Sequence, residues 1–121
     1  MTLTVLAVDD SRTMRDMIRM CLVPAGFEVH LADDGVHGVE VLEGIDPDAI
    51  ITDINMPRMD GFGFIDAVRK QDDHRATPIL VLTTESAPEL KQRARNAGAT
   101  GWIVKPFDPE KLVKALTMVT G

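Results

Sequence analysis

Apolar residues fall along this chain in two rhythms. Five short runs, at positions 3–8, 27–32, 49–52, 79–82 and 101–104, are strand-length and most are rich in β-branched residues. Between and after them lie longer stretches in which apolar positions recur three or four residues apart, the spacing of one helix face. Strands alternating with helices in this way predict an α/β fold with a parallel sheet. Three of the runs are almost wholly apolar, as strands covered by helices on both faces must be. The second is mixed: Phe27, Val29 and Leu31 alternate with Glu28 and His30, which predicts an edge strand with one wet face.

Local signals bound the helices. Met14, Met17, Ile18, Cys21 and Leu22 mark the first, closed by Pro24 and Gly26, with the methionines read as core filling. Val39 and Leu42 mark the second, and Phe62, Ile65 and Val68 the third, which Asp60 caps and Gly61 turns into. Ser86 and Glu89 have the spacing of a capping box ahead of Leu90, Ala94 and Ala97, with Gly98 as the stop. Asp108 and Pro109 read as a cap and first helical position before Leu112, Val113 and Leu116. Right-handed crossovers then lead to a doubly wound (βα)5 sheet in the flavodoxin-like order 2-1-3-4-5, with helices on both faces. No repeat, low-complexity tract or linker interrupts positions 1–121, so one domain is expected.

Composition narrows the function classes. With 45% apolar and 26% charged residues the chain has the profile of a soluble globular protein. A net charge of −6 opposes generic binding to nucleic-acid phosphates. The single cysteine, Cys21, cannot form an internal disulfide, and the run at 3–8 is too short for a signal peptide or a membrane span. A cytoplasmic protein with no direct nucleic-acid or membrane partner is expected, as a monomer.

The chemistry lies in where the acids fall. Asp9 and Asp10 follow the first apolar run directly, and Asp53 follows the third. Strands one and three are neighbours in the order 2-1-3-4-5, at the switch point where such sheets bind ligands, so the three carboxylates should converge. Converging carboxylates repel one another unless a cation offsets them, and magnesium, which prefers oxygen ligands and pairs carboxylates with phosphate oxygens, answers that need. Asp10 and Asp53 are expected as direct ligands, Asp9 directly or through water, and the backbone carbonyl of Asn55 completes the protein's share. Lys105 and the hydroxyl of Thr83 end strands five and four on the same side. With the metal they can steady a transferring phosphoryl group while Asp53 attacks in line.

Four segments then point to a family: Val8-Asp9-Asp10; Asp53-Ile54-Asn55-Met56-Pro57 with Met59-Asp60-Gly61; Val81-Leu82-Thr83; and Lys105-Pro106-Phe107. In this order at four strand ends, they resemble the bacterial response-regulator receiver family along the whole chain. The resemblance implies that Asp53 takes phosphate from a phosphohistidine on a sensor histidine kinase or its phosphotransfer domain. It implies that Asp9 and Asp10 hold magnesium, that Thr83 and Lys105 read the modification, and that Lys105–Pro106 is cis. It places Trp102 where receivers carry a switch aromatic, usually tyrosine or phenylalanine, and makes helix four, strand five and helix five the responsive surface. Asn55 and Glu85 occupy the positions that tune phosphate lifetime and resemble the pair in chemotaxis receivers of the CheY type. Thr84 is bulkier than the residue usual there. A chemotaxis signal carried to a flagellar motor switch protein is the preferred output, with a phosphorelay intermediate or a phosphate sink as the alternative. The protein would then be a signalling phosphoacceptor that assists only its own phosphorylation and dephosphorylation, not an enzyme.

Plainer readings stand beside these. Asp10, Thr83 and Lys105 each have an ordinary explanation as cap, strand residue or solvated charge, and Trp102 as a structural aromatic at the sheet edge. His30, His37 and His74 lack ligand spacing, and Lys91, Arg93 and Arg95 read as a solvated helix face. A haloacid-dehalogenase-type phosphohydrolase needs its nucleophile after the first strand and a longer chain. A flavodoxin-like flavin carrier needs a phosphate-cradling loop where Asp9 and Asp10 would repel the flavin phosphate.

Overall fold

A computed structural model describes residues 2–121. Five strands, β1 (Thr4–Val8), β2 (Glu28–Ala32), β3 (Ala49–Thr52), β4 (Ile79–Thr83) and β5 (Gly101–Val104), pair in parallel in the order β2-β1-β3-β4-β5. Five α-helices connect and follow them: α1 (Arg12–Leu22), α2 (Gly35–Glu43), α3 (Gly61–Arg69), α4 (Pro88–Ala97) and α5 (Pro109–Thr120). The expected doubly wound order is therefore the observed one.

The uninterrupted apolar runs are explained by two separate cores, one on each side of the sheet. Leu6 and Val8 of β1, Ile50 of β3, and Ile79 and Val81 of β4 face α2, α3 and α4, against Leu42, Phe64, Ile65 and Ala94. Their strand neighbours Val5, Ala7, Ala49, Ile51, Leu80 and Leu82 face α1 and α5, against Ile18, Leu22, Leu112 and Leu116. Successive side chains of a strand point to opposite faces, so a strand covered on both must be apolar at every position. At the edge, β2 leaves Glu28 exposed and His30 half-exposed while Val29 and Leu31 pack inward, as its mixed pattern predicts.

Caps place most helix starts. Ser11, Asp34, Asp60 and Asp108 each accept a hydrogen bond from an amide in the first turn of α1, α2, α3 and α5. Helix α4 departs from expectation. It begins at Pro88 with Ala87 as its N-cap residue, and no side chain caps it, so the Ser86–Glu89 capping box is not formed. Proline lacks the amide a cap would satisfy and is preset for the first helical position, so Pro88 starts the helix beyond Ser86's reach. Gly98 stops it in the left-handed region, at φ 114°. Met17 is a second correction: on α1 only Ile18 and Leu22 are fully buried, Met14 is half-buried, and Met17 lies 45% exposed. The buried stripe of α1 is narrower than its run of apolar residues.

Among the described residues no helix is long and apolar enough to cross a membrane.

Candidate functional site

The carboxyl ends of β1, β3, β4 and β5 open on one side of the sheet. Register brings Val8 opposite Thr52 and Thr83 opposite Val104, so the next residues, Asp9, Asp53 and Lys105, emerge together. The backbone ties them down: the Asp53 amide donates to the Val8 carbonyl at 2.9 Å, and the Lys105 amide to the Thr83 carbonyl at 2.7 Å.

One carboxylate oxygen from each of Asp9, Asp10 and Asp53 lies within 4.8 Å of the other two. Asp9 and Asp53 are buried, whereas Asp10 is exposed at the mouth. The peptide bond between Lys105 and Pro106 is cis, and the lysine reaches inward across the pocket. Its Nζ donates to Asp9 Oδ2 at 2.7 Å and to Asp53 Oδ2 at 2.8 Å. The other oxygen of Asp53 accepts from the Ile54 amide at 2.6 Å, and Asp9 Oδ1 accepts from the Ser11 amide at 2.9 Å. Ser11, not Asp10, is the cap of α1, which leaves the Asp10 carboxylate free to face the pocket.

Burial pushes the Asp9 carboxyl above its ordinary value, against the hydrogen bonds from Lys105 and Ser11 that favour its charge; nearby Asp53 adds to the rise. Burial also works to lower Lys105, but hydrogen bonds to Asp53 and Asp9 outweigh it and hold the ammonium above its ordinary value. Three carboxylates share one ammonium, so the pocket is short of positive charge. Its donor set, all oxygen and all hard, fits a magnesium ion better than a softer metal.

Thr83 is fully buried at the end of β4, and its Oγ1 accepts from the Glu85 amide at 3.4 Å. Asn55 and Glu85 meet across the pocket mouth, Asn55 Nδ2 donating to Glu85 Oε1 at 3.2 Å. Trp102 is half-buried against the α2, α3 and α4 core, and its Nε1 donates to the Glu85 carbonyl at 2.9 Å. The indole N–H thus fastens the loop between β4 and α4, a bond that phenylalanine could not make. Thr84 is exposed beside it.

Gly61 is required by close approach, because a Cβ there would collide with the carbonyl oxygen of Asp53 and come within 2.8 Å of Ile54 Cα. Asp9, Asp10, Asp53, Thr83 and Lys105 thus stand at one end of the sheet, with Asn55 and Glu85 bonded to each other and Trp102 reaching Glu85 from within β5. Three contacts had no sequence signal. Arg15 Nη1 donates to the Asp9 carbonyl at 2.7 Å. Arg93 lies over the Phe62 ring at 3.9 Å instead of pointing wholly to solvent. Arg58, in the loop after Asp53, forms a two-pronged pair with Asp34, the cap of α2.

A family model described as the response regulator receiver domain matches residues 5–117. The chain belongs to the response-regulator receiver family. This receiver is 40% identical over 120 residues to chemotaxis protein CheY1 of Helicobacter pylori, covering 96% of this chain and 95% of that protein. It is 41% identical over 110 residues to the sensor histidine kinase CheAY of the same organism, covering 89% of this chain but only 14% of the kinase. The solved structure of chemotaxis protein CheY4 of Vibrio cholerae superposes with a TM-score of 0.95 at 50% identity, over 98% of this receiver and 99% of that chain.

Proposed function

We propose that this receiver accepts a phosphoryl group on Asp53 from a phosphohistidine of a sensor histidine kinase, with magnesium held by Asp9, Asp10, Asp53 and the Asn55 carbonyl. A P–O bond forms at the Asp53 carboxylate as the P–N bond to histidine breaks. The observation that carries the reading is the bridge of Lys105 from Asp9 to Asp53. It sets a fixed cation beside Asp53, whose other oxygen accepts from the Ile54 amide and whose neighbours Asp9 and Asp10 bring two further carboxylates. Bound magnesium supplies further positive charge to the oxygens of the transferring group. Asp53 attacks, the Lys105 ammonium exchanges one carboxylate partner for a phosphoryl oxygen, and the Thr83 hydroxyl turns toward another. Most of the acceleration is positioning and charge neutralisation.

Phosphorylation adds about 1.5 to 2 negative charges to residue 53. Movement of Thr83 withdraws the acceptor of the Glu85 amide, and through Glu85 the event reaches Trp102, α4, β5 and α5. A shallow cleft on that surface, lined by Lys91, Arg95 and Trp102, is positively charged on an otherwise acidic protein. The output is a chemotaxis signal read by a flagellar motor switch protein, a reading supported by likeness to two chemotaxis proteins over nearly their whole length.

Acetyl phosphate with magnesium should label the chain with acid-labile phosphate, and Asp53→Asn should abolish the label. Undiminished uptake in that variant overturns the assignment. Pull-down with a beryllofluoride mimic of the phosphorylated state should recover the switch protein only when the mimic is present. Recovery of a histidine phosphotransfer protein instead would favour a relay.

A further inference from the structure

Arg58 stands in the loop between β3 and α3, and its backbone is left-handed, at φ 63°. A long side chain such as arginine rarely adopts that conformation unless its surroundings favour it. Here the hold is the side chain itself. Arg58 Nε donates to Asp34 Oδ2 at 2.6 Å and a terminal nitrogen donates to Asp34 Oδ1 at 3.0 Å, the paired geometry in which guanidinium and carboxylate bind most tightly. Asp34 is buried, and the same Oδ1 accepts from the His37 amide as the cap of α2. A second tie runs beside the first: the Gly35 amide donates to the Met59 carbonyl at 3.1 Å. The contact is so close that a Cβ on Gly35 would lie 2.6 Å from that oxygen.

The loop therefore has two anchors. At its base, the Gly61 amide donates to the Ile54 carbonyl at 2.9 Å; at its tip, Arg58 and Met59 are fastened to the N-terminus of α2. Between the anchors lie Asn55, Met56 and Pro57, with the ring of Pro57 fixing its own φ and the Met59 amide bonded back to the Pro57 carbonyl at 2.6 Å. The three residues between the anchors are thus tied at both ends.

We infer that Arg58 and Asp34 are positioning residues for the magnesium site: their pair holds the loop so that the Asn55 carbonyl faces the pocket of Asp9, Asp10 and Asp53. Neither side chain belongs to the cluster of Asp9, Asp10 and Asp53. This inference rests on the site reading given above. It extends the site to β2 and α2, which contribute no ligand, and assigns work to an arginine that looks like a surface residue in the sequence.

The test is calorimetric titration of the full chain with magnesium chloride, alongside thermal unfolding of the metal-free proteins. The variants are Arg58→Asn, Arg58→Lys, Asp34→Asn and the double Arg58→Asn/Asp34→Asn. Asparagine tolerates the left-handed conformation and caps helices as well as aspartate does, so these variants add no strain at residue 58 and keep the cap of α2 while removing the ion pair that fastens the loop. Magnesium affinity should fall roughly tenfold in Arg58→Asn and in Asp34→Asn, the loss typical of residues that orient ligands. The double variant should bind no more weakly than either single one, and Arg58→Lys should fall between, since an ammonium replaces the charge but not the fork. Wild-type binding matched by Arg58→Asn overturns the clamp alone, whatever the unfolding temperatures. Losses that multiply in the double variant also overturn it, because the two residues would then act separately. A wild-type chain that binds no magnesium overturns the site reading and the clamp with it.

Discussion

Asp9 and Asp34 follow neighbouring strands of one sheet, both are buried, and their surroundings drive them in opposite directions. Asp9 sits with Asp10 and Asp53 around a single ammonium, and burial holds its carboxyl above the ordinary value of 3.8. Asp34 takes both prongs of the Arg58 guanidinium, which also lies 4.0 Å from Asp33, and the hydrogen bonds from Arg58, joined by the His37 amide, hold it below that value. One carboxylate is supplied with all the partners a buried anion needs; the other is left short. The difference separates an acid satisfied within the fold from one that is not. A pocket left short of positive charge keeps an attraction for a cation that a neutralised one has lost.

The largest expected effect comes from removing the one cation of the acidic pocket. Lys105→Ala should slow phosphate uptake from acetyl phosphate on the order of a hundredfold, the scale of losing one preorganised charge partner of the transition state. A rate equal to wild type would mean that Lys105 only balances charge at rest. Next, Asp34→Ala removes a cap and should lower unfolding free energy by about 1 to 2 kcal/mol in denaturant titrations. Loss of less than a few tenths would show Asp34 to be as dispensable for stability as an exposed acid. Asp9→Asn should do the reverse. Without magnesium it should stabilise the fold by about 1 kcal/mol, because a neutral amide relieves desolvation and the proximity of Asp53. A destabilised Asp9→Asn protein would erase the contrast between the two acids.

The smallest effect is on pH dependence. The folded-state pKa of Asp34 lies below 3.8, so its stabilisation is present above that pH and lost as pH falls through the depressed value. Asp9 is shifted the other way: its relative stabilisation is present below 3.8 and lost as pH rises through the elevated value. Urea midpoints measured from pH 3 upward should therefore rise less steeply with pH in Asp34→Asn than in wild type, and more steeply in Asp9→Asn. Parallel curves for all three would show that neither shift is coupled to folding.

Several departures from the sequence reading share a cause. The start of α4 was misplaced because Ser86 and Glu89 have capping-box spacing, while Pro88 between them decides where the amides begin to need partners. Met17 was assigned to the core because apolar residues crowd α1, yet a helix packed on one sheet face buries only one stripe. Trp102 packs as a structural aromatic and also bonds the loop that follows Thr83, a contact that the strand pattern around it does not announce. Arg58 gave no signal because nothing periodic or compositional distinguishes a loop arginine that folds back onto another loop.

What the amino-acid order determined by itself was local or periodic: which runs become strands, which stretches become helices, and that acids stand directly after the first and third strands. Parallel pairing with right-handed crossovers then allows few strand orders, so even the meeting of Asp9, Asp10 and Asp53 could be read from one dimension. Tertiary structure alone decided which acid received both prongs of a guanidinium and which was left to share an ammonium, how Glu85 came to join Asn55 to Trp102, and that a left-handed arginine ties the loop after β3 to the start of α2. Those outcomes depend on the distance and direction between loops remote in the chain. No spacing rule encodes such quantities, because they are set by how whole elements pack.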